Sequence, residues 1–141
     1  MQTIQQQRAK YALEKVKSAA FDNPRIGHKE FKSYASNLPA MIHMNGLGQA
    51  AAFFKSKGNS SPEHAELYMI LSNWLCNRHD NEQTMPQQPY SNYPDLLEGI
   101  TQADMHTYRL AQAEAQALMD WVKKFAKAFM TEGNVGEGEQ P

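Results

Sequence analysis

Apolar residues recur at steps of three and four along most of this chain, and that spacing is the strongest limit on its possible folds. The first segment shows the repeat at Ala9, Ala12, Leu13, Val16, Ala19 and Ala20. No segment shows the sustained two-residue alternation of a half-buried strand. The sequence therefore predicts an all-α protein, a single-domain bundle of five to six helices with a long C-terminal helix.

Turn and capping residues divide this pattern in its first half. Asp22-Asn23-Pro24 ends the first helix, because proline cannot continue it. A second helix is expected to begin near His28, and Pro39 within it predicts either a kink or the last turn. Asn45-Gly46 stops that helix, since both residues tolerate positive φ. A short third helix is predicted over residues 49–56.

The second half begins with a clear helix start. In Asn59-Ser60-Ser61-Pro62-Glu63, a serine can cap free N–H groups, Pro62 suits the first turn, and Glu63 suits the positive end of the dipole. Residues 80–93 are predicted to be a proline-rich loop, followed by a predicted short turn at 94–98. Thr101-Gln102-Ala103-Asp104 is typical of a capping box that opens the longest helix, over residues 102–130. Residues 1–131 are thus predicted to be one helical domain, and the Gly/Glu-rich residues 132–141 a disordered tail.

Composition limits the class of protein further. A chain of 141 residues with 41% hydrophobic residues is long enough to bury a core. Its longest apolar run, residues 50–54, is too short to cross a membrane, and the polar start lacks a signal-peptide core. One cysteine cannot form an internal disulfide. We therefore expect a cytoplasmic, non-membrane protein.

Charge is unevenly distributed although the net charge is only −1. Residues 1–57 contain nine basic and three acidic residues, whereas residues 58–108 contain one basic and seven acidic residues. Such a distribution predicts surfaces of opposite sign or, alternatively, helix exteriors that are merely solvated.

Motifs for chemistry are missing from the sequence. Cys76 and His79 lie three apart, but a structural zinc site needs a second pair of ligands. Gly46-Leu47-Gly48 follows a helix, whereas a dinucleotide-binding fingerprint must follow a strand. Serines and paired acids lie in no catalytic motif. We therefore expect no catalytic residue, no metal, no cofactor and no enzymatic activity.

Lysine and arginine residues along the helices are the remaining candidates for function. They can contact phosphates, or they can simply favour the negative ends of helix dipoles. The sequence suggests no aromatic platform for stacking bases, so any nucleic-acid contact should involve the backbone and its shape.

Three groups of residues resemble a known family. The first is Gln6-Gln7-Arg8-Ala9 with Ala12 and Val16. The second and most specific is Tyr34, Leu38-Pro39-Ala40-Met41-Ile42, Asn45-Gly46-Leu47-Gly48-Gln49, Ala52-Phe53 and Lys55. The third is Tyr108-Arg109, Glu114-Ala115 and the run from Leu118 to Ala126. Over most of residues 4–129, the chain resembles the small subunit of the Cmr-type (type III-B) CRISPR effector complex.

This resemblance implies a non-catalytic helical subunit that acts in antiviral defence. Copies of it would stack in a filament beside the backbone and large subunits and help to hold a guide RNA–target RNA duplex. The basic residues that would line the RNA channel are Arg8, Lys15, Lys17, Lys55, Lys57, Arg109, Lys123 and Lys124. Two alternatives stay open: the small subunit of the related Csm-type complex, and a protein-only helical adaptor without nucleic-acid contact.

Overall fold

Six α-helices make up most of residues 2–78 and 88–131, the part of the chain that the computed structural model describes. They are α1 (Ile4–Phe21), α2 (His28–Asn45), α3 (Leu47–Lys57), α4 (Pro62–Leu75), α5 (Leu96–Gln102) and α6 (Met105–Phe129). No strand occurs within these residues. The predicted all-α bundle with a long C-terminal helix is confirmed.

Helix α6, with 25 residues, is the central element of the bundle. It packs along α1 on one side and along α2 on the other, while α3, α4 and α5 complete the fold. Helix α1 runs parallel to α6, since Arg8 pairs with Glu114 and Phe21 meets Phe129. Helix α2 runs antiparallel to α6, since Gln116 binds the Pro39 carbonyl (3.1 Å) and Thr131 binds His28 (3.2 Å). The core between them contains Phe31, Trp74 and Val122, all fully buried.

The junction between α2 and α3 explains the Asn-Gly-Leu-Gly stretch. Gly46 has φ +89° and its N–H donates to the Ile42 carbonyl (2.9 Å), so the predicted helix break is confirmed. Helix α3 begins directly afterwards, two residues before the predicted start. Side chains of α6 cap it, because Gln112 accepts from Leu47 N–H (2.8 Å) and the Tyr108 hydroxyl from Gly48 N–H (2.9 Å). Pro39 lies six residues before the end of α2, so the last-turn interpretation was wrong.

The predicted capping box at Thr101 was also wrong. Thr101 belongs to α5, where its hydroxyl donates to the Leu97 carbonyl (2.8 Å). Ala103 and Asp104 are extended, and the Asp104 carboxylate accepts the Thr107 N–H (2.9 Å) as the true cap of α6. Helix α6 therefore begins at Met105, and the predicted turn at 94–98 is instead the start of α5.

The start of α4 agrees with the prediction and adds a contact. The Ser61 hydroxyl accepts the His64 N–H (3.3 Å). The Glu63 carboxylate reaches across the bundle and accepts the Gly27 N–H (2.7 Å) at the start of α2. Residues 80–87 of the predicted loop and the predicted tail, 132–141, lie outside the described residues. None of the described helices is long and apolar enough to span a membrane.

Candidate nucleic-acid interface

A mostly buried cation of α1, Arg8, lies in the contact between α1 and α6. The guanidinium of Arg8 donates two hydrogen bonds to the Glu114 carboxylate (2.5 and 2.9 Å), and Arg8 is 12% exposed. The Trp74 indole donates to the same carboxylate (2.8 Å). This two-point ion pair gives Arg8 a structural role that the sequence analysis did not foresee. The RNA contact predicted for Arg8 remains a prediction.

The other two predicted cations of α1 also contact rings of their own fold. The Lys15 ammonium lies 5.6 Å from the centre of the Tyr11 ring, and the Lys17 ammonium lies 5.6 Å from that of Phe129. These separations fit cation–π contacts. Both lysines therefore have a packing role beside any role at the surface.

Lys55 and Lys57 lie at the edge formed by α3 and α4. Their ammonium groups are 5.1 Å from the Tyr68 ring and 5.7 Å from the Phe53 ring, respectively. Lys123 and Lys124 lie in the C-terminal half of α6. The predicted RNA-binding residues are therefore spread over several parts of the bundle.

A groove between α2 and α6 gathers cations that the sequence analysis did not select as a site. It has a volume of about 510 Å³ and is lined by Lys29, Lys32, Ser33, Ser36 and Lys127. The four α2 residues share one helix face, opposite the buried Phe31 and Ala35. That spacing was visible in the sequence, but the partner Lys127 is 98 positions away from Lys29 and is placed only by the antiparallel packing.

A second groove lies toward the other end of the same helix pair. It has a volume of about 260 Å³ and is lined by His43, Tyr108, Arg109, Gln112, Ala113 and Gln116. It contains Arg109, which the sequence analysis did predict. We call the two grooves together the α2–α6 seam. Residues 29 to 43 of α2 span about 21 Å along it, at 1.5 Å per residue.

Two further charged residues of α6 lie on the stripe between these grooves. Asp120 follows Gln116 by four positions, and Lys123 precedes Lys127 by four positions, so all four share one helix face. Lys123 is half-buried, whereas Asp120 is exposed. The seam is thus cationic at both ends, with one carboxylate between them.

Aromatic rings form a row on the α1 side of α6. The Trp121 and Phe125 rings stack at 5.4 Å with an interplanar angle of 24°, and Phe125 and Phe129 are 6.5 Å apart. The exposed Phe21 meets Phe129 edge-on at 6.4 Å. Trp121, Phe125 and Phe129 are packed against the core, so the row is part of the contact between helices.

Groups that could ligate a metal do not gather in residues 2–78 and 88–131. No three His, Cys, Asp or Glu side chains of that part could hold a metal ion together. Cys76 is buried, and burial raises the pKa of its thiol to about 11. His79, which the sequence analysis considered beside Cys76, lies outside the described residues.

The fold and surface define a class first: a small all-α bundle whose long last helix presents cations beside its neighbour. Residues 4–129 match the family model for CRISPR-associated protein (Cas_Cmr5), and the chain belongs to this family. Membership supports a subunit of a type III-B CRISPR system.

Individual relatives agree with this assignment. The chain is 31% identical over 132 residues to the CRISPR system Cmr subunit Cmr5 of Thermus thermophilus, covering 94% of this chain and 100% of the relative. It is also similar to the X-ray crystal structure of a CRISPR-associated Cmr5 family protein from the same organism. That match has a TM-score of 0.69 at 28% identity and covers 92% of this chain and 100% of the other. The resemblance to a Cmr-type small subunit, rather than a Csm-type one, is confirmed.

Proposed function

We propose that this protein is a non-catalytic structural subunit of a type III-B CRISPR ribonucleoprotein complex. Copies of it stack in a filament beside the backbone and large subunits and help to hold the guide RNA–target RNA duplex during antiviral silencing. The observation that most favours this proposal is the family match, which extends over residues 4–129 and thus over nearly the whole described bundle.

The distribution of cations supports contact with RNA. Arg109 and Lys127 line the grooves of the α2–α6 seam, and Lys123 lies between them. Lysine and arginine bind phosphates through charge and hydrogen bonds without reading bases, which suits a subunit that must accept any guide sequence. Lys15, Lys17, Lys55, Lys57 and Lys124 remain proposed as further RNA contacts.

The chemistry of Cys76 supports a non-catalytic role. Its thiol is buried against the core, and the raised pKa keeps it protonated at neutral pH, whereas a cysteine nucleophile needs the thiolate. Cleavage would then belong to other subunits.

Reconstitution with and without this chain tests the proposal. A complex assembled from the other Cmr subunits and guide RNA should retain this chain on size exclusion. Ultraviolet irradiation should crosslink the chain to RNA. Leaving the chain out should weaken retention of target RNA, while the cleavage chemistry of any assembled complex persists. A chain that never enters the complex, or a complex whose cleavage chemistry needs side chains of this subunit, would contradict the proposal.

A protein-only adaptor is the second candidate function. It is favoured by the cations that contact rings of their own fold, namely Lys15, Lys17, Lys55 and Lys57. In that case the chain should enter the complex without crosslinking to guide or target RNA.

A further inference from the structure

We infer that the α2–α6 seam is a binding site for the ribose–phosphate backbone of an RNA strand. This inference rests on the proposed function and adds to it the surface that RNA contacts. It also assigns a role to Lys29, Lys32 and Lys127, which the resemblance to the family did not include.

The first argument is the arrangement of donors. Lys29 and Lys32 lie on the α2 wall of the larger groove, and Lys127 lies on the α6 wall. A phosphate group that enters this groove would meet ammonium groups from two sides. Ser33 and Ser36 line the same α2 wall, and their hydroxyl groups can donate to phosphate oxygens.

The second argument is the charge of the lining. No acidic residue lines the larger groove, and Lys29 and Lys127 form no ion pair with any residue in the described ranges. Both side chains are exposed. This differs from the α1 side of α6, where Glu114 neutralises Arg8. Cations that the fold leaves unneutralised are suited to an anionic ligand.

The third argument is the continuity of the seam. Arg109 and His43 line the second groove on the same helix pair. The α2 stripe that carries both grooves, from Lys29 to His43, is about 21 Å long, which is enough for several nucleotides of one strand. The ring row of α6 lies on the α1 side. Tyr108 lines the second groove as a single ring, and its hydroxyl already accepts the Gly48 N–H, so the lining offers no stack of rings for bases. The ligand is therefore held by its backbone, independently of base sequence.

Matched double variants of the full chain, each assembled into the complete complex with guide RNA, test the seam. The seam variant combines Lys29→Gln with Lys127→Gln. The edge variant combines Lys55→Gln with Lys57→Gln, at the α3–α4 edge. The control combines Lys10→Gln with Arg78→Gln, two exposed cations on α1 and after α4. Each removes two positive charges, and thermal melting of each chain checks that its fold is retained.

The measured quantity is the salt dependence of binding to a target RNA complementary to the guide. The seam variant should reduce the slope of log K against log salt by about 1 for each lysine, whereas the control should leave it unchanged. The seam variant should also lose crosslinks between this subunit and RNA.

Other outcomes overturn the inference in distinguishable ways. If only the edge variant reduces the slope, RNA lies against α3 and the seam assignment is wrong, while the proposed function stands. If the folded seam variant no longer enters the complex, the seam is a protein interface. If no variant changes the slope and the wild-type chain gives no RNA crosslink, the inference and the proposed RNA-holding function both fail.

Discussion

Positive charge is neutralised by an ion pair on one side of helix α6 and is left without an acidic partner in the groove on the other side. On the α1 side, Arg8 is 12% exposed and bound at two points by Glu114, which also accepts a hydrogen bond from Trp74. On the α2 side, Lys29 and Lys127 face an open groove without an acid in its lining. The function of a basic residue on a helix therefore depends on the residue that faces it from the next helix, more than on its spacing in the sequence.

The largest expected effect comes from removing the Arg8–Glu114 ion pair on the α1 side of α6. Arg8→Ala should reduce the free energy of unfolding by about 2–3 kcal/mol, because it leaves a mostly buried carboxylate without its counter-ion. Lys29→Ala on the α2 side should reduce the free energy of unfolding by no more than about 0.5 kcal/mol, since it removes an exposed side chain. Urea unfolding of the isolated chain measures both. Equal losses for the two variants would show that the two sides do not differ.

Lys55 and Lys57 lie between these two cases, since they are exposed but contact aromatic rings. His64 reports on this region because it is 7% exposed and stacks on Tyr34 at 3.9 Å. Burial lowers the pKa of His64 below 6.5, the Lys57 charge lowers it further, and Glu63 opposes both.

A pH dependence of stability follows from this histidine. The unfolded chain binds a proton at His64 near pH 6.5, whereas the folded chain binds it only at lower pH. Stability should therefore be fully present above pH 6.5, fall as the pH drops below that value, and level off below the folded pKa. Urea midpoints measured across this range should show the fall, and His64→Asn should flatten it. An unchanged slope in that variant would assign the effect to another group.

Local sequence signals predicted most of the helices because their causes lie within a few residues. Gly46 breaks α2 through its own backbone, and Ser61 caps α4 through His64 N–H. The error at Thr101 had a long-range cause. Asp95 caps α5 and accepts a hydrogen bond from Tyr68 (2.8 Å), so the chain forms a separate short helix before α6.

The site was harder to predict than the fold for the same reason. Arg8 and Glu114 are 106 positions apart, so their ion pair has no signature in the spacing of either residue. Lys29 and Lys32 show a clear periodicity, but nothing in that periodicity favours them over Lys55 and Lys57. The antiparallel contact of α2 with α6 supplies the reason, because it places Lys127 across the groove.

A smaller effect is expected from removing the carboxylate of the α2–α6 seam. Asp120 lies between the two grooves of the seam, so its carboxylate should repel a phosphate backbone held there. Asp120→Asn should tighten binding of target RNA to the assembled complex about twofold to threefold at low salt, as expected for one charge near the surface. Glu14→Gln, at an exposed position of α1, is the matched control. Equal tightening by both variants would point to overall charge rather than to the seam.

The smallest expected effect tests whether the charge of Lys57 acts on the interior of the fold or only at its surface. Lys57→Gln should raise the pKa of His64, because it removes a positive charge that disfavours the histidinium. Lys29→Gln should leave that pKa unchanged, since Lys29 lines the groove on the opposite side of α2 from the core. Titration of the His64 ring signals by NMR measures both variants. A rise with Lys57→Gln would show that the Lys57 charge acts on the buried His64 ring. No change would show that the Lys57 charge is exposed to solvent and isolated from the interior, like that of Lys29, and would strengthen the case for Lys57 as an RNA contact.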